Sequence, residues 1–201
     1  MSYHRRHLTM LGLDITGFSR LDWGDKIRMM LRSHLYESLT SALAKAQEVP
    51  VEHEILDRGD GVVAMINPAI PPAVVLDVVV PRLAIAIQEV NSTAPDHERM
   101  QVRGVLHIGD AITDGRGYIG NEVNLVFRLL DSDELRGHLT KTGVDFVLAL
   151  SEAALHSLGP APAVTTSLDL TPANVHVKET RARAWLMAAV PTGTSIRGVR
   201  R

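Results

Sequence analysis

The chain has 201 residues, 45% hydrophobic and 22% charged, with a formal net charge of -2. That composition reads as one soluble globular domain, and a chain of this size buries about 70% of its unfolded surface. The absence of cysteine excludes disulfides and thiolate zinc sites and fits a cytoplasmic location. The near-neutral charge gives no reason to expect nucleic acid, since binders of the phosphate backbone carry a basic excess.

Residues 7–15 form a short apolar run that ends at Gly17 and predict a buried strand. From Asp22 the period changes: Trp23, Ile27, Met30, Leu31, Leu35, Leu39 and Ala42 recur at three and four, an amphipathic helix to about residue 46. Residues 51–56 and 62–66 flank the turn Asp57-Arg58-Gly59-Asp60-Gly61 and read as a hairpin. A second helix follows the prolines at 68, 71 and 72 and runs to about residue 91, with Pro81 a kink or break. The longest apolar stretch, residues 73–90, is interrupted by Asp77, Pro81 and Arg82. It falls short of the roughly 20 residues a spanning helix needs, so no membrane span is expected.

Residues 100–112 alternate as a strand that passes Arg103 and His107. The turn Asp114-Gly115-Arg116-Gly117 leads into a helix expected over 121–135. Residues 145–150 read as another buried strand, Ser151 as the start of a short helix, 159–172 as a loop, and 175–179 with 184–189 as a closing hairpin. Residues 191–201 read as a flexible basic tail, leaving one domain over 1–190. Strand, helix, hairpin, helix, strand is the split βαβ order of a ferredoxin-like α+β fold (βαββαβ). It implies an antiparallel sheet with helices on one face, extended here by C-terminal strands.

Asp14 and Asp60 each stand where a strand-like run gives way to glycine. If the two runs pair, these carboxylates face each other, and close carboxylates repel unless a cation sits between them. A lone aspartate in such a place is ordinarily a turn or cap residue; the pairing is what points to a divalent metal. Asp57 reads as a hairpin residue. Asn124 and Arg128, four apart on the expected helix, project from one face. The nine histidines show no ligand spacing, and His107 reads as a hydrogen-bonded residue within its strand. Trp23, Met29 and Met30 read as core or dimer contacts.

Taken in order, Asp14-Ile15-Thr16-Gly17-Phe18, then Gly59-Asp60-Gly61, then residues 103–109, then Gly120-Asn121-Glu122-Val123-Asn124-Leu125-Val126-Phe127-Arg128 resemble the catalytic domain of class III nucleotidyl cyclases. The resemblance covers roughly residues 8–190. It implies that Asp14 and Asp60 hold two Mg²⁺ or Mn²⁺ ions, and that the amides of Ile15, Thr16, Gly17 and Phe18 cradle phosphates. It further implies that Asn124 orients the ribose and that Arg128 stabilises charge on the α-phosphate. Arg103 matches a phosphate-binding arginine, and Lys178 is a looser match to a phosphate-binding lysine. The substrate implied is a nucleoside triphosphate. The family's site is shared, one chain giving the aspartates and the other the base-reading positions with the asparagine and arginine, so a homodimer is implied.

Two positions depart from the pattern. Adenylate cyclases read the base with a lysine four residues before the second metal aspartate and an acid seven before the asparagine; this chain has Leu56 and Gly117 there. Guanylate cyclases use other polar residues at both places. Base recognition has then either moved, as in the pyrimidine cyclases of bacterial antiviral defence, or cyclisation has been lost, leaving a nucleotide-binding or signalling module.

Overall fold

The computed structural model describes residues 3–20, 22–44, 52–159 and 169–190; the expected basic tail and most of the loop over 159–172 lie outside them. The elements are β1 (His4–Ile15), α1 (Asp25–Ala44), β2 (His53–Asp57), β3 (Gly61–Ile66), α2 (Pro72–Val74), a π-helical turn (Val75–Val79) and α3 (Val80–Thr93). There follow β4 (Val102–Thr113), β5 (Tyr118–Ile119), α4 (Asn121–Leu130), α5 (Asp133–Thr142), β6 (Phe146–Ser151), α6 (Glu152–Ser157), β7 (Thr171–Val177) and β8 (Thr180–Ala188). The strands make one eight-stranded sheet in the order β2-β3-β1-β4-β6-β8-β7, with β5 paired to β4.

β3 and β6 are buried at every position, as expected for apolar runs covered on both faces. One cluster packs Leu31, Leu35 and Leu39 of α1 and Leu83 and Ile87 of α3 against Leu11, Leu13 and Val62. The other packs Val123, Val126 and Leu129 of α4 and Leu135 and Leu139 of α5 against Leu8, Met10 and Val63. Alternate residues of β1 thus serve opposite layers. The expectation of helices on one face is corrected: the sheet is covered on both, because β1, β3 and β6 are apolar on both. It is also not wholly antiparallel, since β4 and β6 run parallel.

Two helical expectations change. Pro81 does not end its helix; the π turn just before it carries an i→i−5 bond from the Val80 amide to the Val75 carbonyl, and the helix continues. The single helix expected over 121–135 is two, because Ser132 caps α5 by accepting from the Leu135 amide at 3.3 Å. The closing hairpin turns at Lys178 and Glu179, with Lys178 in the left-handed region at φ 53.

Register fixes the end of β1. Asp14 pairs with Gly61 on one side and with Arg103 on the other. A side chain at Gly61 would place its Cβ 2.5 Å from the Leu13 carbonyl oxygen, so only glycine lets the hairpin approach β1 this closely.

Candidate active site

The last pair of that ladder brings the two sequence-predicted carboxylates together. The Ile15 amide donates to the Asp60 carbonyl at 3.1 Å. Asp14 and Asp60 line one cavity of about 120 Å³ with Arg58, Phe127 and Asp131. Asp14 is largely but not fully buried, and burial pushes its carboxyl up to about 6 against the opposing pull of Arg103, with Asp60 and Asp131 adding repulsion. Arg103 ion-pairs with Asp14 and is 7% exposed, rather than standing on an exposed strand face. Its Nε and Nη1 are buried with no partner among the described residues, as is Oγ1 of Thr16 at the end of β1. Orphaned donors of this kind call for an acceptor supplied from outside the chain.

Asp57 is a hairpin residue, as its position suggested. Arg32 Nη1 donates to it at 2.8 Å and the Gly59 amide at 2.7 Å. These bonds, that of Arg32 foremost, hold its carboxyl well below the usual range. The expected phosphate cradle is narrower than four amides. The Ile15 amide is taken by Asp60 and the Thr16 amide by the Gln101 carbonyl at 2.8 Å, which leaves Gly17 and Phe18 for that role. The turn does not run straight into a helix, since α1 begins at Asp25, and Arg28 braces it by donating to the Phe18 carbonyl at 3.0 Å.

Asn124 and Arg128 lie elsewhere. Val123, Val126 and Leu129 face the sheet, so Asn124 is exposed and Arg128 half-buried on the other side of α4. Arg128 donates to Glu179 at 3.1 Å, next to exposed Lys178 in the turn before β8. Neither Asn124, Arg128 nor Lys178 lines the aspartate cavity. Leu56 is half-buried on β2 opposite Val63, and a Cβ at Gly117 would meet nothing within 4 Å. One chain therefore keeps these two groups of residues apart.

Sequence reasoning missed Asp131 and Arg58. Asp131 ends α4 with a carboxylate set against the helix dipole, and that anomaly was its one sequence signal. Arg58 stacks over Phe127, its guanidinium carbon 4.1 Å from the ring centre, a contact no spacing rule would have found. His107 is the hydrogen-bonded strand residue expected, between Ser151 at 2.8 Å and Glu122 at 2.7 Å.

The same architecture occurs in solved cyclases. The guanylyl cyclase Cya2 superposes with a TM-score of 0.69 at 15% identity, over 96% of this chain and 97% of that one. The chain has the nucleotidyl cyclase fold. An adenylate/guanylate cyclase/hydrolase from Silicibacter pomeroyi superposes at 0.67 with 23% identity, over 94% and 99%. A dimeric guanylyl cyclase domain from Blastocladiella emersonii gives 0.61 at 14% identity, over 94% and 97%. No protein-family model matches the sequence, and no curated protein does.

The two carboxylates of this cavity suit a hard divalent cation. Among the described residues no group of three acidic or histidine side chains could hold a metal. Two carboxylates without a closed cage are how Mg²⁺ is usually held, the remaining positions falling to water and substrate phosphate. Asp60 and Asp131 add repulsion at Asp14 that such an ion would relieve.

Proposed function

We propose that this chain is a metal-dependent nucleotidyl cyclase, converting a nucleoside triphosphate to a 3′,5′-cyclic nucleotide and pyrophosphate. The supporting observation is the pairing of Asp14 with Gly61, which puts Asp14 and Asp60 in one cavity beside buried Arg103 with two unpaired donors. Asp14 and Asp60 would hold Mg²⁺ or Mn²⁺, two ions per site. When bound, the ions lower the pKa of the ribose 3′-hydroxyl and neutralise triphosphate charge. Nε and Nη1 of Arg103 donate to phosphate oxygens, as does Oγ1 of Thr16, with the amides of Gly17 and Phe18 alongside. Asn124 orients the ribose and Arg128 donates to the α-phosphate, where negative charge grows in the transition state. Lys178 adds positive charge next to Arg128.

The separation of these two sets on one chain favours a homodimer with two shared sites. No helix of the described residues is long and apolar enough to cross a membrane.

The test is incubation of the purified protein with ATP, GTP, CTP and UTP, each with Mn²⁺ and with Mg²⁺, with products read by mass spectrometry. A cyclic nucleotide lost in Asp60→Ala is the expected result. No product from any triphosphate, with the dimer intact, overturns the proposal in favour of a catalytically degenerate nucleotide-binding module.

A further inference from the structure

With Leu56 and Gly117 at the places where relatives read the base, the substrate needs polar partners elsewhere on that face. Glu54 stands two residues before Leu56 on edge strand β2, so both side chains leave the sheet on the same side. Arg6 shares its face of β1 with Leu8 and Met10, which pack in the cluster under α4, and Tyr118, next to Gly117, belongs to that cluster as well. The three polar groups meet. Glu54 Oε1 accepts from Arg6 Nη1 at 2.6 Å and from the Tyr118 hydroxyl at 2.7 Å, and Arg6 Nη1 also donates to that hydroxyl oxygen at 2.7 Å.

This network is built and reachable. Tyr118 is buried at 8% exposure, which fixes its hydroxyl, while the Glu54 and Arg6 side chains remain 57% and 33% exposed. Both bonds to Glu54 fall on Oε1, so the carboxylate keeps acceptor capacity on Oε2, and the Arg6 fork keeps donors on Nη2 and Nε. Leu56 offers an apolar wall for a ring.

We propose that Glu54, Arg6 and Tyr118 read the nucleobase, taking one that presents a carbonyl acceptor beside an N–H donor. It rests on the nucleotide reading above. Glu54 accepts from the base N–H while Arg6 donates to the carbonyl, a pairing available to guanine and uracil but not to cytosine, whose ring nitrogen beside the carbonyl carries no hydrogen. Adenine has no carbonyl and leaves the Arg6 fork poorly matched, so ATP is the disfavoured substrate. A site made to bond a particular edge rejects the analogue that lacks it, because its own polar groups are then left unpaired.

Equilibrium binding of ATP, GTP, CTP and UTP, with inorganic tripolyphosphate as the base-free probe, tests this in the wild type, Glu54→Gln and Tyr118→Phe. Tyr118→Phe keeps the buried ring and removes only the hydroxyl, so it covers the case in which Glu54→Gln does not fold. The wild type is expected to favour GTP or UTP over ATP and CTP. Each variant should lose about tenfold or more of that preference, with tripolyphosphate binding unchanged. A wild-type preference for ATP or CTP, or an unaltered ranking of the four in the variants, overturns the base-reading assignment alone. Binding without turnover overturns the cyclase proposal alone, and no binding of any nucleotide overturns both.

Discussion

Asp14 and Asp60 line the same cavity but carry different structural duties. Asp14 is the partner of the Arg103 guanidinium, and both side chains are nearly excluded from water. Removing one member of a buried pair leaves the other charge uncompensated, at a cost of about 3–5 kcal/mol. Asp60 meets the sheet through its carbonyl, which accepts from the Ile15 amide and which any residue supplies. Asp14→Ala is therefore expected to lower stability by several kcal/mol, and Asp60→Ala to leave it nearly unchanged, while both abolish turnover. Urea unfolding of the two variants beside the wild type checks this. Equal losses would show that Arg103 does not depend on Asp14. The difference makes Asp60→Ala the cleaner catalytic control.

At the scale of elements, α4 is placed by a buried polar strut. Among His107, Glu122 and Ser151, the Glu122 carboxylate accepts from Nε2, which leaves Nδ1 to accept from the Ser151 hydroxyl; Ser151 Oγ in turn caps α6 by accepting from the Ala154 amide at 3.1 Å. Burial lowers the His107 pKa, outweighing the hydrogen bond and charge of Glu122, with His7 adding to the lowering. A histidine held neutral in the fold takes up its proton more readily when unfolded. Its contribution to stability is therefore present above the unfolded value near 6.5 and is lost as pH falls below it, by at most about 1.4 kcal/mol per pH unit for one group. His138 is shifted the same way, by burial and then by Lys141. Because the raised Asp14 carboxyl opposes the histidines in this window, the expected result is a fall in stability between pH 7.5 and 5.5 that is less steep in His107→Gln than in the wild type, measured by urea unfolding; an unchanged slope would remove His107 from the account. Much at this scale was legible in the sequence. The apolar period of α1, the β2–β3 hairpin and the Ser151 cap all follow from local pattern. What was not legible depends on tertiary partners: the two-sided covering of the sheet, the parallel β4–β6 pair, and the division of α4 from α5 at Ser132, where apolar spacing continues across the cap.

At the scale of the molecule, the resemblance, not the spacing, implied a site divided between two chains, and one chain holds the expected residues in two groups. Asp14, Asp60 and Arg103 gather at the end of β1, while Asn124 and Arg128 face outward from α4. Spacing along a chain reports which side chains share a face of an element; which element a second copy presents is set by surfaces that no periodicity describes. Complementation separates a shared site from a self-contained one. Asp60→Ala and Arg128→Ala should each be inactive alone. In a mixed dimer, one site carries both defects and the other pairs an intact Asp60 with an intact Arg128 from the opposite chain. Equal co-expression places half of all subunit pairs in mixed dimers with one working site of two, so about a quarter of wild-type activity is expected. The measurement is cyclic nucleotide formed per milligram of co-purified protein, with sedimentation confirming that both variants assemble. If each site were complete within one chain, every subunit would carry its own defect and the mixture would stay as inactive as its parts.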